Sequence, residues 1–293
     1  MDAEKVRAFG PREFLRLIRG NNCGDPDSVI GTFNASRRKK LLLIITLAVL
    51  LAFISVVALG VGAVDVPLQD TMRALGNYFF PQWIDAPGKE HYSTIIFRSR
   101  MPRVILAVVT GISLAMSGVV MQGILRNPLV SPFTLGLSSA ASFGAAAALV
   151  LGPLLLGGAY YGTFEFLGES ITNKNLLIIL MAFIVGMSSI VLVLAIARAH
   201  HLSQSVLVLS GVVVNYLFSA GISFMKYISE DNTLREVTNW LMGGMWGATW
   251  GSVTILIPIV AVSFILMERC TVDLNTLSGG DDVARNLGVN VQR

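Results

Sequence analysis

Six long apolar runs constrain the fold of this chain more than any other feature. They cover residues 41–64, 104–124, 134–156, 176–197, 206–228 and 252–267, and only the fifth contains a charged residue, Lys226. About 20 apolar residues are enough for a helix to cross the hydrocarbon core of a bilayer. The chain is only 14% charged, against about 25% in a soluble domain. We therefore predict an all-α fold, a polytopic transmembrane helical bundle with six visible spans.

Positive charges predict the orientation of these spans. Nine of the 22 Lys and Arg residues precede residue 41, and the tetrad at residues 37–40 adjoins the first span. Segments rich in Lys and Arg stay in the cytoplasm. The N-terminus is therefore predicted to be cytoplasmic, and an even number of spans returns the C-terminal tail to the same side. In this orientation 14 basic residues lie in inner segments and eight in outer ones.

Three regions are predicted along the chain. Residues 1–36 form a polar cytoplasmic tail, residues 37–267 the transmembrane domain, and residues 268–293 a cytoplasmic segment with a short helical pattern. Four arginines alternate with apolar residues at 7–19, which leaves open a disordered tail and an interfacial amphipathic helix. The apolar spans predict that the protein lies in the lipid bilayer of the cell membrane. The basic residues flank these spans and do not form one positively charged face, so no nucleic-acid partner is expected.

No residue pattern predicts an enzyme or a metal site. The span interiors lack Asp, Glu, Arg and His, although ion-coupled carriers place such groups at membrane depth. His200 and His201 are neighbours in a short loop, where adjacent side chains point apart. A phosphate-binding glycine-rich loop is also lacking in the sequence. We therefore expect no catalytic residue, metal or cofactor, and the lack of intramembrane carboxylates argues against a secondary transporter or channel.

The fifth span carries a polar stripe. Gly211, Asn215, Ser219 and Ser223 recur every four residues, so they share one helix face that turns slowly along the axis. A buried Asn in lipid needs a hydrogen-bond partner or water. Two interpretations are open: the stripe lines a wet translocation pathway, or its side chains bond to neighbouring helices.

A tight structural turn is predicted between the second and third spans. Asn127 precedes Pro128, and a residue before proline is biased away from the helical conformation. Pro132 follows four residues later and brackets the turn. On the other side of the second span, Arg98, Arg100 and Arg103 form a basic cluster on the predicted outer side.

Several segments resemble a known family. RMPR, RNPLVSPFTLG, WLMGGMWGATW and SGGDDVARNLGVNV resemble the FecCD-type permeases, the membrane subunits of ABC importers for iron–siderophores, haem and cobalamin. The similarity runs from residue 41 to residue 293. It implies six visible spans of a roughly ten-span ABC importer permease fold. It also implies transport of an iron chelate or cobalamin-type substrate, with ATP hydrolysis on a separate subunit.

The resemblance assigns roles to residues. Arg100 and Arg103 would bind glutamates of an extracytoplasmic substrate-binding protein, and the stripe on the fifth span would line the central pathway. A helix-turn-helix would couple the chain to the ATPase through Gly280, Asp281, Asp282, Ala284, Arg285, Leu287 and Gly288. The expected partners are two ATPase subunits, the binding protein and a second permease chain in a homo- or heterodimer.

The chain departs from the family pattern at its end. Family members continue after the coupling segment, whereas this sequence stops at Arg293. The expectation is a fragment, a truncated gene or a permease completed by a second chain. A non-transporting remnant of a truncated gene is the alternative to an importer subunit.

Overall fold

A computed structural model describes residues 26–166, 169–199, 204–245 and 247–289. Among these residues, six helices are long and apolar enough to cross a membrane: Arg38–Gly60, His91–Leu125, Leu137–Tyr161, Asn173–Ala199, Ser205–Ile228 and Trp250–Arg269. The prediction of a polytopic helical membrane bundle is confirmed. The arginine-rich stretch at residues 7–19 lies outside the described residues.

The chain divides into two compact units, Met1–Gly88 and Lys89–Arg293. The first contains α1 (Pro26–Gly60) and α2 (Leu68–Phe79). Helix α1 begins at a proline, which suits the first helical position because its N–H would be unpaired there. Lys and Arg are good helix formers, so the helix runs through the basic tetrad without a break. Part of the predicted polar tail is therefore helical, and α2 lies between the first two predicted spans, in a stretch for which no helix was predicted.

The second unit contains the other elements. They are α3 (Glu90–Thr94), a π-helical stretch (Ile95–Arg100), α4 (Met101–Leu125), a 3-10 turn (Pro132–Leu135), α5 (Leu137–Leu156), a second 3-10 turn (Gly157–Tyr161), β1 (Thr163–Phe166), β2 (Glu169–Thr172), α6 (Asn173–Ala199), α7 (Gln204–Ile228), α8 (Asp231–Met242), α9 (Trp250–Arg269), α10 (Thr271–Ser278) and α11 (Asp281–Asn286). Strands β1 and β2 form an antiparallel hairpin in which Thr163 pairs with Thr172. This hairpin was not predicted.

The second membrane helix is longer than its apolar run. Helical structure continues through α3, the π-helical stretch and α4, whereas the predicted span begins at residue 104. The wide π turn lies just before Pro102, which has no N–H and crowds the preceding turn of a regular helix. The basic cluster is therefore part of a continuous helix and does not lie in a loop.

Helix α5 forms the centre of the second unit. Its buried residues are mostly alanines, and they form a core with Ile178, Met225 and Val237 from α6, α7 and α8. A Cβ added at Gly144 would lie 2.8 Å from the carbonyl carbon of Met181, so α5 and α6 touch backbone to backbone. Small residues allow this close approach, which supplies packing energy between helices in lipid.

Candidate functional site

The two predicted docking arginines differ in exposure. Arg100 ends the π-helical stretch and is only 8% exposed, whereas Arg103, in the first turn of α4, is exposed. The indole Nε1 of Trp250 donates a 2.8 Å hydrogen bond to the carbonyl oxygen of Phe97, which holds the start of α9 at this end of the long helix. Of the two predicted residues, Arg103 alone has a side chain accessible to a partner.

The turn after α4 is ordered by its own side chains. Arg126 has a left-handed backbone (φ 45°), which ends α4, and the Asn127 side-chain oxygen accepts a 3.0 Å hydrogen bond from the N–H of Leu129. Ser131 and Thr134 form a capping box around the 3-10 turn that Pro132 begins. Asn127 and Pro132 thus have the local backbone roles expected of a structural turn.

A hydrogen bond joins this turn to the C-terminal segment. The Nε of Arg126 donates to the carbonyl oxygen of Leu277 in α10, at 2.8 Å. Helix α10 packs on the end of α4, where a Cβ added at Gly123 would lie 3.9 Å from a methyl carbon of Leu274. The last carbonyls of a helix lack partners within that helix, so an arginine from the turn satisfies one of them.

The C-terminal segment is a pair of short helices with glycine at both turns. Gly280 (φ 121°) separates α10 from α11, and Gly288 (φ 83°) ends α11 in a conformation that residues with a Cβ rarely adopt. The N–H of Val289 bonds to the oxygen of Ala284, and the N–H of Gly288 to that of Arg285, at 2.9 and 3.0 Å. This pattern is a Schellman cap.

The predicted coupling residues divide between the interior and the surface of this pair. Ala284 is fully buried, while Arg285 and Leu287 are exposed, Leu287 at 65%. Asp281 and Asp282 occupy the first two backbone positions of α11. The exposed end of α11 therefore combines a cation with an apolar side chain.

The polar stripe of α7 begins inside a helix contact. Gly211 is buried, and a Cβ added there would lie 2.9 Å from the Cα of Leu135 and closer still to the oxygen of Thr134. Gly136 (φ 74°) completes the contact, since its own added Cβ would lie 3.1 Å from the backbone nitrogen of Asn215. Gly211 therefore packs α7 onto the 3-10 turn.

The stripe becomes more exposed toward the C-terminal end of α7. Half-buried Asn215 accepts a hydrogen bond from the hydroxyl of Ser139 in α5. Ser219 is half-buried. Ser223 is exposed, and its hydroxyl donates a 3.1 Å hydrogen bond to the backbone carbonyl oxygen of Ser219. Asn215 thus fits the interhelical alternative, and the exposed part of the stripe is limited to its last residues.

A cleft of about 790 Å³ lies between α5, α6 and α8. At its edge, the Nζ of Lys174 contacts both carboxylate oxygens of Glu236 at 2.7 Å. Val237, next to Glu236, is buried in the core. The ion pair and this apolar contact hold α8 against the two membrane helices.

Nothing in this arrangement resembles a catalytic centre. Across the described residues, no group of three His, Cys, Asp or Glu side chains could hold a metal ion. The long helix instead carries an exposed arginine, Arg103, in its N-terminal half, and the turn after it is bonded to a short helical pair.

Comparison with known protein families shows the class of protein to which the chain belongs. The model of the FecCD transport family matches residues 48–293. The chain belongs to this family. FecCD proteins are membrane permease subunits of ABC importers, with ATPase activity on a separate subunit, so the predicted class of a non-enzymatic permease is confirmed.

Individual FecCD relatives carry different transport names. The Fe(3+) dicitrate transport system permease protein FecD of Escherichia coli is 32% identical over 252 residues, which are 86% of this chain and 69% of FecD. The Fe(3+)-citrate import system permease protein YfmE of Bacillus subtilis is 30% identical over 88% of this chain and 68% of YfmE. The hemin transport system permease protein HmuU of Yersinia pestis is 35% identical over 66% of this chain and 54% of HmuU.

A solved structure is similar in fold to this chain. An inward-facing metal-chelate type ABC transporter matches with a TM-score of 0.65 and 27% identity, over 85% of this chain and 68% of that chain. The chain is thus similar in fold to the membrane part of an importer, and it spans between about half and 69% of the relatives it matches.

Several structural contacts could not be found from the sequence. Arg126 and Leu277 are 151 residues apart, and Lys174 and Glu236 are 62 apart. In the sequence these contacts appear only as a charged residue at the end of an apolar run. A charged residue in that position is also expected when it simply lies at the membrane interface without a specific partner. The partner of Asn215 was likewise unpredictable, because Ser139 is one of several serines in an apolar run.

Proposed function

We propose that this chain is the permease of an ATP-driven importer for an iron chelate. Its partners are two ATPase subunits, an extracytoplasmic substrate-binding protein and a second permease chain. The position of the C-terminal helical pair carries the proposal. This pair packs on α4, bonds to the turn through Arg126, and exposes Arg285 and Leu287.

The proposed orientation places the N-terminus and the helical pair in the cytoplasm. Arg38, Lys39 and Lys40 are exposed at the start of the first apolar helix. Six crossings return the chain to the side on which it began, and the basic residues favour the cytoplasm. The helical pair can therefore reach an ATPase, and the arginine end of the long helix faces the binding protein.

Iron chelates are the proposed substrate class. FecD and YfmE are named for iron citrate, HmuU for hemin, and the matching structure for a metal chelate. Other relatives are named for cobalamin and for molybdate, so these substrates are the competing candidates. The proposed pathway on α7 begins near Ser219 and Ser223, because Gly211 and Asn215 are engaged in helix contacts.

The proposed function is tested by uptake into vesicles. The ATPase and the binding protein are first identified by their co-purification with the chain. The three proteins are then co-expressed, and the complex is reconstituted in vesicles. We expect ATP-dependent accumulation of ferric citrate or haem above that of cobalamin and molybdate. Accumulation that does not depend on ATP would support a secondary transporter, and exclusive uptake of molybdate or cobalamin would reassign the substrate.

Charge reversal at Arg103 is expected to weaken docking of the binding protein. Arg103→Glu replaces an exposed cation with an anion that repels carboxylates, so the dissociation constant should rise by about tenfold, or about 1.4 kcal/mol. Binding of the purified binding protein to the reconstituted permease measures the change.

Arg269→Glu is the matched control for Arg103→Glu. Arg269 is exposed at the end of α9, on the proposed cytoplasmic side, and undergoes the same change of charge. Its dissociation constant should equal that of the parent. Equal weakening by both variants, or by neither, would contradict a docking role for Arg103.

A further inference from the structure

Residues 61–88 fold back on the end of the first membrane helix. The N–H of Val66 donates a 3.1 Å hydrogen bond to the oxygen of Gly60, the last residue of α1. A Cβ added at Gly60 would lie 3.1 Å from the Val66 oxygen and 3.4 Å from the Thr71 hydroxyl. The first turn of α2 is therefore held against the last turn of an apolar helix. If α1 crosses the bilayer, α2 begins at the boundary between lipid and water.

Helix α2 and the loop after it form a closed structure. The Asn77 side chain donates to the Ile84 oxygen at 2.6 Å, and the N–H of Gly88 donates to the Asp70 carboxylate at 3.2 Å. The side chain of Ile84 lies so close to Gly76 that a Cβ there would be 3.2 Å from its Cγ2. The loop is thus tied to α2 at three points.

This closed structure exposes an unusual number of aromatic side chains. Tyr78, Phe79, Phe80 and Trp83, here called the aromatic tip, are between 62% and 87% exposed. Leu68 and Met72 precede Phe79 by 11 and seven residues, so these exposed apolar residues share one helix face. The charged residues of α2, Asp70 and Arg73, are 3.9 Å apart and of opposite sign.

Lipid is the occupant that fits this surface. Trp and Tyr are enriched at the two interfaces of a membrane, where the ring meets hydrocarbon and the polar atom meets water. Amphipathic helices lie in the same layer with their apolar face toward the acyl chains. Exposed apolar side chains also cover α1, to which the segment just before α2 is hydrogen-bonded. Within α2 itself the charges of Asp70 and Arg73 balance, so this helix offers no net charge to a charged protein partner.

We propose that α2 and the aromatic tip are inserted in the headgroup layer of the bilayer, at the exit of the first membrane helix, as an interfacial anchor. The anchor fixes the depth of α1 at its C-terminal end, as the basic residues before Leu41 do at the other end. This inference depends on membrane insertion of the chain and not on the identity of the transported substrate.

Fluorescence of Trp83 tests the anchor. The full chain and its Trp83→Phe variant are reconstituted in phosphatidylcholine vesicles, and their difference spectrum isolates Trp83 from the other three tryptophans. Lipids brominated near the headgroup should remove most of the Trp83 emission, and lipids brominated near the chain ends should remove much less. A Trp83 signal that aqueous iodide quenches fully and bromolipids do not would overturn the proposal. So would protection from iodide that appears only when the binding protein is added.

Two further variants separate anchoring from general folding. Phe79→Asp combined with Phe80→Asp should shift the Trp83 emission to the red and remove bromolipid quenching, because the charged tip leaves the lipid. Arg73→Gln, on the polar side of the same helix, should leave the quenching unchanged. If the double variant retains the parental quenching, the tip does not anchor the chain. If Arg73→Gln also loses quenching, the effect reflects the fold of α2 and not the lipid contact.

Discussion

Gly211→Ala is expected to destabilise the membrane bundle strongly. An added Cβ would lie 2.9 Å from the Cα of Leu135 and even closer to the oxygen of Thr134, and real Cβ atoms do not approach backbone this closely. The 3-10 turn cannot move aside easily, because the Ser131–Thr134 capping box and Gly136 hold it. Overpacking of a filled interior costs about 1–3 kcal/mol, and a backbone obstacle places this site at the upper end.

The thermal midpoint of the detergent-solubilised chain measures the effect of Gly211→Ala. Gly111→Ala is the matched control, since it makes the same change in a membrane helix with no other heavy atom within 4 Å of the new Cβ. The free energy of unfolding of the Gly111→Ala control should remain within about 1 kcal/mol of the parent value, which is the size of the Gly-to-Ala difference in helix propensity. Similar midpoints for the two variants would show that α7 does not pack on the turn as described.

Leu287→Asp is expected to abolish co-purification of the ATPase. Leu287 is 65% exposed at the end of α11, just before the Schellman glycine, so the substitution leaves the cap and the buried Ala284 in place. A side chain that acts as a hot spot in a desolvated pocket of a partner contributes about 2 kcal/mol or more, or about 30-fold in the dissociation constant. A carboxylate in the same pocket adds its own desolvation cost.

The controls for Leu287→Asp separate docking from folding. Leu287→Met keeps an apolar side chain of similar volume and should retain the ATPase. The helical content and yield of Leu287→Asp should match the parent, because the side chain is on the surface. Retention of the ATPase by Leu287→Asp would contradict the proposed coupling role of α11.

The sequence predicted the membrane helices well because hydropathy is a local property. Each apolar run coincides with one of the six long helices, although the first run continues four residues past Gly60 and the third begins three residues before Leu137. The turn at residues 126–132 follows from proline sterics that act over two residues. Helices α2 and α8 were missed, because they are short, polar on one side and located in what hydropathy marks only as connections.

The candidate sites were less predictable, since they depend on neighbours distant in sequence. Spacing placed Gly211 and Asn215 on one face of α7, but only the fold shows that the 3-10 turn and Ser139 occupy that face. The RMPR motif marked Arg100 and Arg103 equally, whereas in the structure Arg100 is 8% exposed and the Arg103 side chain is exposed. The sequence pattern identifies a helix face or a motif, but the packing of the folded chain determines which of its residues are buried in contacts and which are exposed.

The unbroken helix from His91 to Leu125 has a mechanical consequence. At 1.5 Å per residue, its 35 residues extend over roughly 50 Å. Arg103 lies about a third of the way along this helix, and Arg126, directly after its last residue, bonds to the helical pair. We expect a displacement of that pair to reach Arg103 as a shift of the helical segment between them, because the π-helical turn at residues 95–100 lies beyond Arg103. Binding events on opposite membrane surfaces would then change each other's affinity through one rigid segment, without passing through the substrate pathway.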